Sequence, residues 1–425
     1  MIKKTSLSIL FLLILYCNSK GENNVFFKEG SLRYDLEFVG NSDSFWVVPT
    51  QTKILKSCVG NQDSFIDERD FGVYRFIVYD LPSGKKIVQK GFCPIFQEWL
   101  LTPEATKKRR SFYQTLYFPM PINNVVVTIE IRNSENEWGK IYSDTIDLTN
   151  CWIKTEMPAH YPIDTIQFSG SSTEKLDIAI LSEGYTLSEL AKFSADARRM
   201  VDTLLNSMPF KTYRDRFNFY AVKVPSEESG SDMPDKRIFK NTAFNTTWDT
   251  FESERYLTTF DLKSVCDAVD AVSWDHLIIL VNSERYGGGG FYNFLSISSA
   301  DNIRSPHVFI HEFGHSFAGL GDEYYNTADS LVSGYMDGVE PWEPNLTTLV
   351  KFDRKWKKMI DCATPVPTPR DSVYSGKIGV FEGGGYFSKG VYSPAMTCWM
   401  KELAAGKFCP VCQEAIRQTI LLQSK

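Results

Sequence analysis

Histidine is scarce in this chain: five in 425 residues, the first of them His160. A histidine-based site therefore cannot lie in the first third of the sequence. Long Lys/Arg runs are lacking too; 46 Lys and Arg against 52 Asp and Glu give a formal net charge of -6, and removing the leader with Lys3 and Lys4 makes it more negative. Nucleic acid is set aside as a partner on that ground. Long apolar runs are missing: Leu7 to Tyr16 is shorter than the roughly 20 residues that cross a bilayer, and nothing comparable follows. There is no internal repeat and no low-complexity tract. What remains, 43% hydrophobic and 23% charged residues, is ordinary globular composition. The length exceeds what one core normally serves, so two folding units are expected.

The short apolar run follows a basic start and ends at Cys17. Residues 1–17 thus have the pattern of a lipoprotein signal, which predicts export to a bacterial cell surface or periplasm with a lipid anchor to the membrane on Cys17. The bulky Tyr16 stands where such signals carry a small residue, and secretion is the alternative. Eight cysteines follow: Cys58, Cys93, Cys151, Cys266, Cys362, Cys398, Cys409 and Cys412. An even number outside the cytosol is read first as ordinary disulfides. Cys409-Pro410-Val411-Cys412 invites two sharper readings, a redox pair or half of a structural zinc site. The first lacks a thioredoxin-like setting, and the second has only Cys398 and Cys362 as a loose matching pair.

From Asn24 to Pro158 short alternating segments predict strands at Leu32–Val39, Gly72–Leu81, Lys86–Lys90, Val125–Arg132 and Tyr142–Leu148, hence an N-terminal all-β sandwich (24–158). From His160 onward strands and helices alternate: a strand at Leu176–Leu181, a helix at Leu187–Ser207, a strand at Phe217–Val224, a helix at Leu262–Val272 and a strand at His276–Val281. This second unit (160–425) reads as α/β.

The chemistry concentrates in one stretch, where three of the five histidines lie within nine residues. Ser305-Pro306 is a helix start and Gly319 a helix stop. At about 100° per residue, His311 and His315 stand within roughly 40° of each other and one turn apart, so both imidazoles can face one ion. Zinc needs a third protein ligand and an open position. A left-handed turn at Gly319 would return the chain past the metal, making Asp322 the expected third ligand and Glu323 the alternative. Glu312, beside the first histidine, suits the general base that deprotonates an attacking water. His307 lies one turn earlier; three successive turns cannot easily aim at one ion, so it is expected to pack. A chance pair of histidines is the competing reading, and the scarcity of histidine elsewhere argues against it.

His311-Glu312-Phe313-Gly314-His315 followed by Asp322-Glu323-Tyr324 resembles the M64 metallopeptidases, a family named for an IgA peptidase among the metzincin-like zinc proteases. Leu280–Ser283 with Tyr286–Gly290, Val224–Gly230, Gly379–Gly383 and Cys398-Trp399-Met400 before Cys409–Cys412 are similar to blocks of that family. The likeness covers most of Asp177 to Ile416, and the β half is similar to the N-terminal domain that accompanies these enzymes. The resemblance implies an α/β zincin catalytic domain of metzincin type, one Zn2+ and hydrolysis of a protein or glycoprotein substrate. It also implies a methionine turn at Met400, or secondarily Met396, and an edge strand, His276–Ser283 running into the glycine-rich loop Tyr286–Phe291, that pairs with extended substrate and brings Gly287, Gly288 and Gly289 close to it. Tyr324, Tyr386 and Tyr392 are the candidates for stabilising an oxyanion. In metzincins the glycine and the third ligand come one residue earlier than Gly319 and Asp322. The rival function is a surface protein that grips a glycoprotein through a zinc domain without cleaving it; retention of Glu312 argues against it.

Overall fold

A computed structural model of the chain describes residues 25–57, 65–155, 157–325 and 338–425. The leader, Cys17 and Cys58 lie outside the described residues. The N-terminal part carries β1 (Phe27–Gly40), β2 (Phe45–Leu55), β3 (Tyr74–Asp80), β4 (Lys86–Phe92), the short helix α1 (Ile95–Leu100), β5 (Arg110–Pro121), β6 (Val125–Arg132) and β7 (Trp138–Ile146). Two antiparallel sheets form, in the orders β2-β1-β5 and β4-β3-β6-β7. Their inner faces meet through aromatic rings: Phe38 of β1 packs edge-on against Tyr74 of β3, and Phe76 lies against Phe118 of β5. The predicted strands lie at or close to these positions. β2 and β5 escape the sequence pattern, since β5 is buried over most of its length and shows no alternation.

The C-terminal part follows with β8 (Ile163–Gln167), β9 (Leu176–Glu183), α2 (Leu190–Leu205), β10 (Phe217–Val222), the two-residue pair β11 (Thr246–Thr247) and β12 (Thr258–Thr259), α3 (Leu262–Val269), β13 (His276–Val281), β14 (Gly288–Phe291), β15 (Leu295–Ser299), α4 (Ser305–Ala318), β16 (Phe381–Gly384), β17 (Phe387–Ser393) and α5 (Pro410–Gln423). Six strands make one mixed sheet, β14-β15-β13-β9-β10-β8, parallel at its centre with an antiparallel strand at each edge. Both faces are covered, which is why β9 and β13 are buried at every residue. Ile178, Ile180, Ile278 and Leu280 point to the side of α2, α4 and α5, sharing a core with Phe193, Phe309, Phe313 and Ile416. Alternate residues Ala179, Leu181, Leu277 and Ile279 join a core that runs through α3 into the β sheets.

Helix α2 shows why the pattern was legible. Phe193, Ala197, Met200, Val201 and Leu204 are buried at helical spacing, and Thr186 and Glu189 form a reciprocal cap just upstream. The two parts of the chain are pinned by a buried ion cluster. Arg33 of β1, fully buried, donates to Asp35, to Asp267 and Asp270 at the end of α3, and to the Tyr113 hydroxyl.

Candidate metal centre

Helix α4 begins at Ser305, with Pro306 in its first turn, and its apolar face of Val308, Phe309, Ile310, Phe313 and Phe317 is buried against the sheet. It ends at Gly319 in the left-handed conformation, φ 64°. The Gly319 amide returns to the His315 carbonyl and the Leu320 amide to the Gly314 carbonyl, which satisfies the last turn. A side chain at 319 would also meet the Trp342 ring at 2.8 Å. The chain then turns back under Asn345, whose side chain accepts from the Gly321 amide (2.7 Å) and donates to the Gly321 carbonyl (2.9 Å). Asp322 Oδ1 comes to the two imidazoles, while Glu323 Oε1 lies at Cys412 Sγ.

His311 donates Nδ1–H to the Trp399 carbonyl at 2.9 Å, and His315 donates Nδ1–H to the Leu320 carbonyl at 2.5 Å. Carbonyls only accept, so both Nε2 atoms are left with lone pairs turned inward. Those two nitrogens are 3.1 Å apart, and Asp322 Oδ1 lies 3.2 Å from one and 3.3 Å from the other. Asp322 Oδ1 is buried and has no hydrogen-bond partner. Three electron-pair donors converge with no proton donor among them, and the edges match the roughly 3.3 Å between ligands of a tetrahedral ion with bonds near 2.0 Å. The residues present therefore fit a divalent transition metal.

Burial pushes the Glu312 carboxyl up, against the pull of His311 and His315, in the direction a general base needs. Burial opposes protonation of His315, yet the Asp322 carboxylate outweighs it and lifts the imidazole to about 9; Asp322 is held well below the usual carboxylate range by the same pair, despite burial. Asp322 is thereby kept a carboxylate, the form in which it can serve as a metal ligand.

Met400 is fully buried, and a Cβ at Gly314, the residue before His315, would meet its sulfur at 3.2 Å. The methionine packs; it does not reach the donors. His307 packs its ring on the Trp399 indole, 5.9 Å between centroids, and stands outside the donor set. Tyr386 donates to Asp322 Oδ2, Tyr324 lies 3.2 Å from the Tyr386 hydroxyl, and Arg255 completes the chain at 3.4 Å from Tyr324. Tyr392 sits apart on β17, where its backbone pairs with Thr347 and its ring packs against the core. The glycines acquire a different role from the one expected of them. Gly287, Gly288 and Gly289 are buried, and Arg255 and Leu257 already hydrogen-bond the outer edge of β14 at Gly288. A Cβ at Gly288 would meet Glu312 Cγ at 2.7 Å, and one at Gly290 would meet the Glu312 carbonyl at 2.6 Å. Their absence of side chains lets β14 press against α4 and keeps Glu312 in position.

The family models match this architecture along most of the chain. The description "IgA Peptidase M64" matches residues 165–374 and 370–420, and "Peptidase M64 N-terminus" matches 22–143. The chain belongs to the M64 peptidase family. It is accordingly a peptidase, of a family that is generally metal-dependent. No curated protein matches this M64 peptidase.

Three groups near the centre had no signal in the sequence. Glu98 comes from α1 in the N-terminal part, accepts a hydrogen bond from the Tyr256 hydroxyl, and is pushed up to about 7 by burial, within electrostatic reach of His315 and Glu312. Tyr256 and Arg255 come from an irregular segment that no periodicity marks. The cysteine expectation needs correction: Cys93, Cys151, Cys266, Cys362, Cys398, Cys409 and Cys412 are all free thiols, so there is no disulfide among the described residues. Cys362 is exposed and does not join Cys398; Glu323 does.

Proposed function

We propose that this M64 peptidase is an exported zinc endopeptidase that cleaves extracellular protein or glycoprotein chains. The observation that carries the reading is the triangle of His311 Nε2, His315 Nε2 and Asp322 Oδ1, three donors 3.1–3.3 Å apart around an orphaned carboxylate oxygen. Zinc bound there supplies Lewis acidity toward a water and the scissile carbonyl. The chain's own residues do the remainder. The Trp399 and Leu320 carbonyls hold both imidazoles in the tautomer that offers Nε2. Glu312 takes the proton of the attacking water and returns it to the leaving amine, with the raised pKa that burial gives it. Tyr386 orients Asp322 from the other side. The family description, which names an IgA peptidase, supports a glycoprotein substrate class. The leader pattern ending at Cys17 supports export and a lipid anchor.

Glu312→Ala tests the mechanism. The variant is expected to keep its zinc, measured by elemental analysis after dialysis, and to lose hydrolysis of a diverse peptide mixture by about 10²–10⁴-fold. A variant that cuts as fast as wild type, or a zinc-loaded wild type that cuts nothing with or without a chelator, refutes the proposal.

A further inference from the structure

Thirteen residues separate Cys398 from Cys412, yet both sulfurs lie within 4.8 Å of a Glu323 carboxylate oxygen, beside the Gly319–Tyr324 loop that carries Asp322. We propose that Glu323, Cys398, Cys409 and Cys412 form a second metal site, separate from the histidine centre, that holds one zinc-class cation and fixes the shape of that loop.

The four donor atoms all lie within 4.8 Å of one another, and the four residues are 0–2% exposed. Cys398 Sγ and Cys412 Sγ are 3.7 Å apart; ligands of a tetrahedral ion with Zn–S bonds of about 2.3 Å stand about 3.8 Å apart. Glu323 Oε1 lies 3.1 Å from Cys412 Sγ and 4.0 Å from Cys409 Sγ, bracketing the roughly 3.5 Å expected between a sulfur and an oxygen ligand. A disulfide needs sulfurs about 2.05 Å apart and would leave one of three cysteines over.

The surroundings favour thiolates. The Cys409 amide points at Cys398 Sγ (3.2 Å), and the Cys412 amide points at Cys409 Sγ (3.5 Å) across the first turn of α5, where Pro410 occupies the opening position. Glu323 Oε1 accepts from Asn345, but Glu323 Oε2 is buried without a hydrogen-bond partner. Lys401 attracts that carboxylate electrostatically, but its ammonium donates its hydrogen bonds to the Glu323 backbone carbonyl (2.6 Å) and the Ser393 hydroxyl (3.0 Å). A buried carboxylate among three thiols calls for a cation. Three soft sulfurs and one oxygen select zinc over magnesium or calcium. Four protein donors close the coordination sphere, so the site is structural and not catalytic.

Its position gives it a task. Glu323 adjoins Asp322, and its amide donates to the Met400 carbonyl at 2.7 Å. Cys398 adjoins Trp399, whose carbonyl orients His311. One ion thereby ties the segment that carries Asp322 to the segment that steers His311.

Full-length protein purified without chelator and dialysed against zinc is expected to hold two zinc ions per chain. The double variant His311→Ala/His315→Ala should keep one, with a sulfur-dominated first shell in X-ray absorption. Cys412→Ser should lose that sulfur-bound ion, halving the zinc content and lowering the melting temperature. If the histidine centre binds no zinc, wild type holds a single sulfur-bound ion; that result refutes the proposed function and leaves this site standing. No sulfur-bound metal in the histidine variant, or a disulfide between any two of Cys398, Cys409 and Cys412 in mass maps of the unreduced wild type, overturns the second site.

Discussion

Tyr386→Phe removes a single oxygen and separates two roles that the tyrosines near the centre could play. The hydroxyl donates to Asp322 Oδ2, the carboxylate oxygen turned away from the histidines. A hydrogen bond to a charged group contributes about 1.5–3 kcal/mol, but Tyr386 is 49% exposed, so water can replace part of it. The low end, about 1.5 kcal/mol, corresponds to a roughly tenfold loss of metal affinity, the lower bound for a residue that supports a metal ligand. Zinc affinity measured by competition with a chelator is the assay, with kcat on the zinc-saturated enzyme as the second readout. Weakened affinity with kcat nearly unchanged at saturating zinc is the expected outcome. Unchanged affinity with kcat reduced a hundredfold or more would refute the reasoning, because the hydroxyl would then act on the developing oxyanion and not on Asp322.

Two further perturbations test the frame that holds the centre. Arg33→Met leaves Asp35 without its guanidinium and strips Asp270 of one of its cationic partners in a buried setting, so urea denaturation should show a loss of about 3–5 kcal/mol; a loss below 1 kcal/mol would mean that the cluster does not pin the two parts together. His276 is lowered from 6.5 to about 4 by burial, with Nε2–H donating to Gln423 at 2.8 Å. The unfolded chain binds that proton first, so the contribution of the neutral imidazole is complete above about pH 6.5 and lost as pH falls through 4, to a total of about 3 kcal/mol. His276→Gln should flatten the urea midpoint between pH 7 and 4, and an unchanged acid slope would refute the assignment.

Much of this was legible because it is local. The alternation in Val125–Arg132 predicted β6 at its observed bounds, and His276–Val281 predicted β13 likewise. The register of His311 and His315 follows from helix geometry alone, and Gly319 was readable as a stop because only glycine takes a left-handed turn without strain. Other expectations failed where the deciding neighbour is distant. His276–Ser283 read as an edge strand leading into a glycine loop, but β13 lies inside the sheet between β9 and β15, and the glycines form the edge strand β14, packed by Glu312 and bridged by Arg255 and Leu257, which no spacing rule connects to it. Cysteine counting suggested disulfides because composition reports how many thiols exist and not where they meet.

The pair Asp322-Glu323 divides what the sequence settled from what it left open. Two adjacent carboxylates after a helix stop are all that the sequence states, and either could serve as third donor to the histidines. Asn345 holds the backbone at Gly321 and the Met400 carbonyl holds it at Glu323, and between these anchors Asp322 is set against the α4 histidines and Glu323 against Cys412. Which is which depends on α5 and the Cys398–Met400 loop, some 75 to 90 residues further along the chain. Helix periodicity is set by backbone hydrogen bonds between near neighbours and is therefore written in the sequence. The choice between Asp322 and Glu323 is set by packing between segments far apart in the chain, and only the tertiary structure brings those segments together.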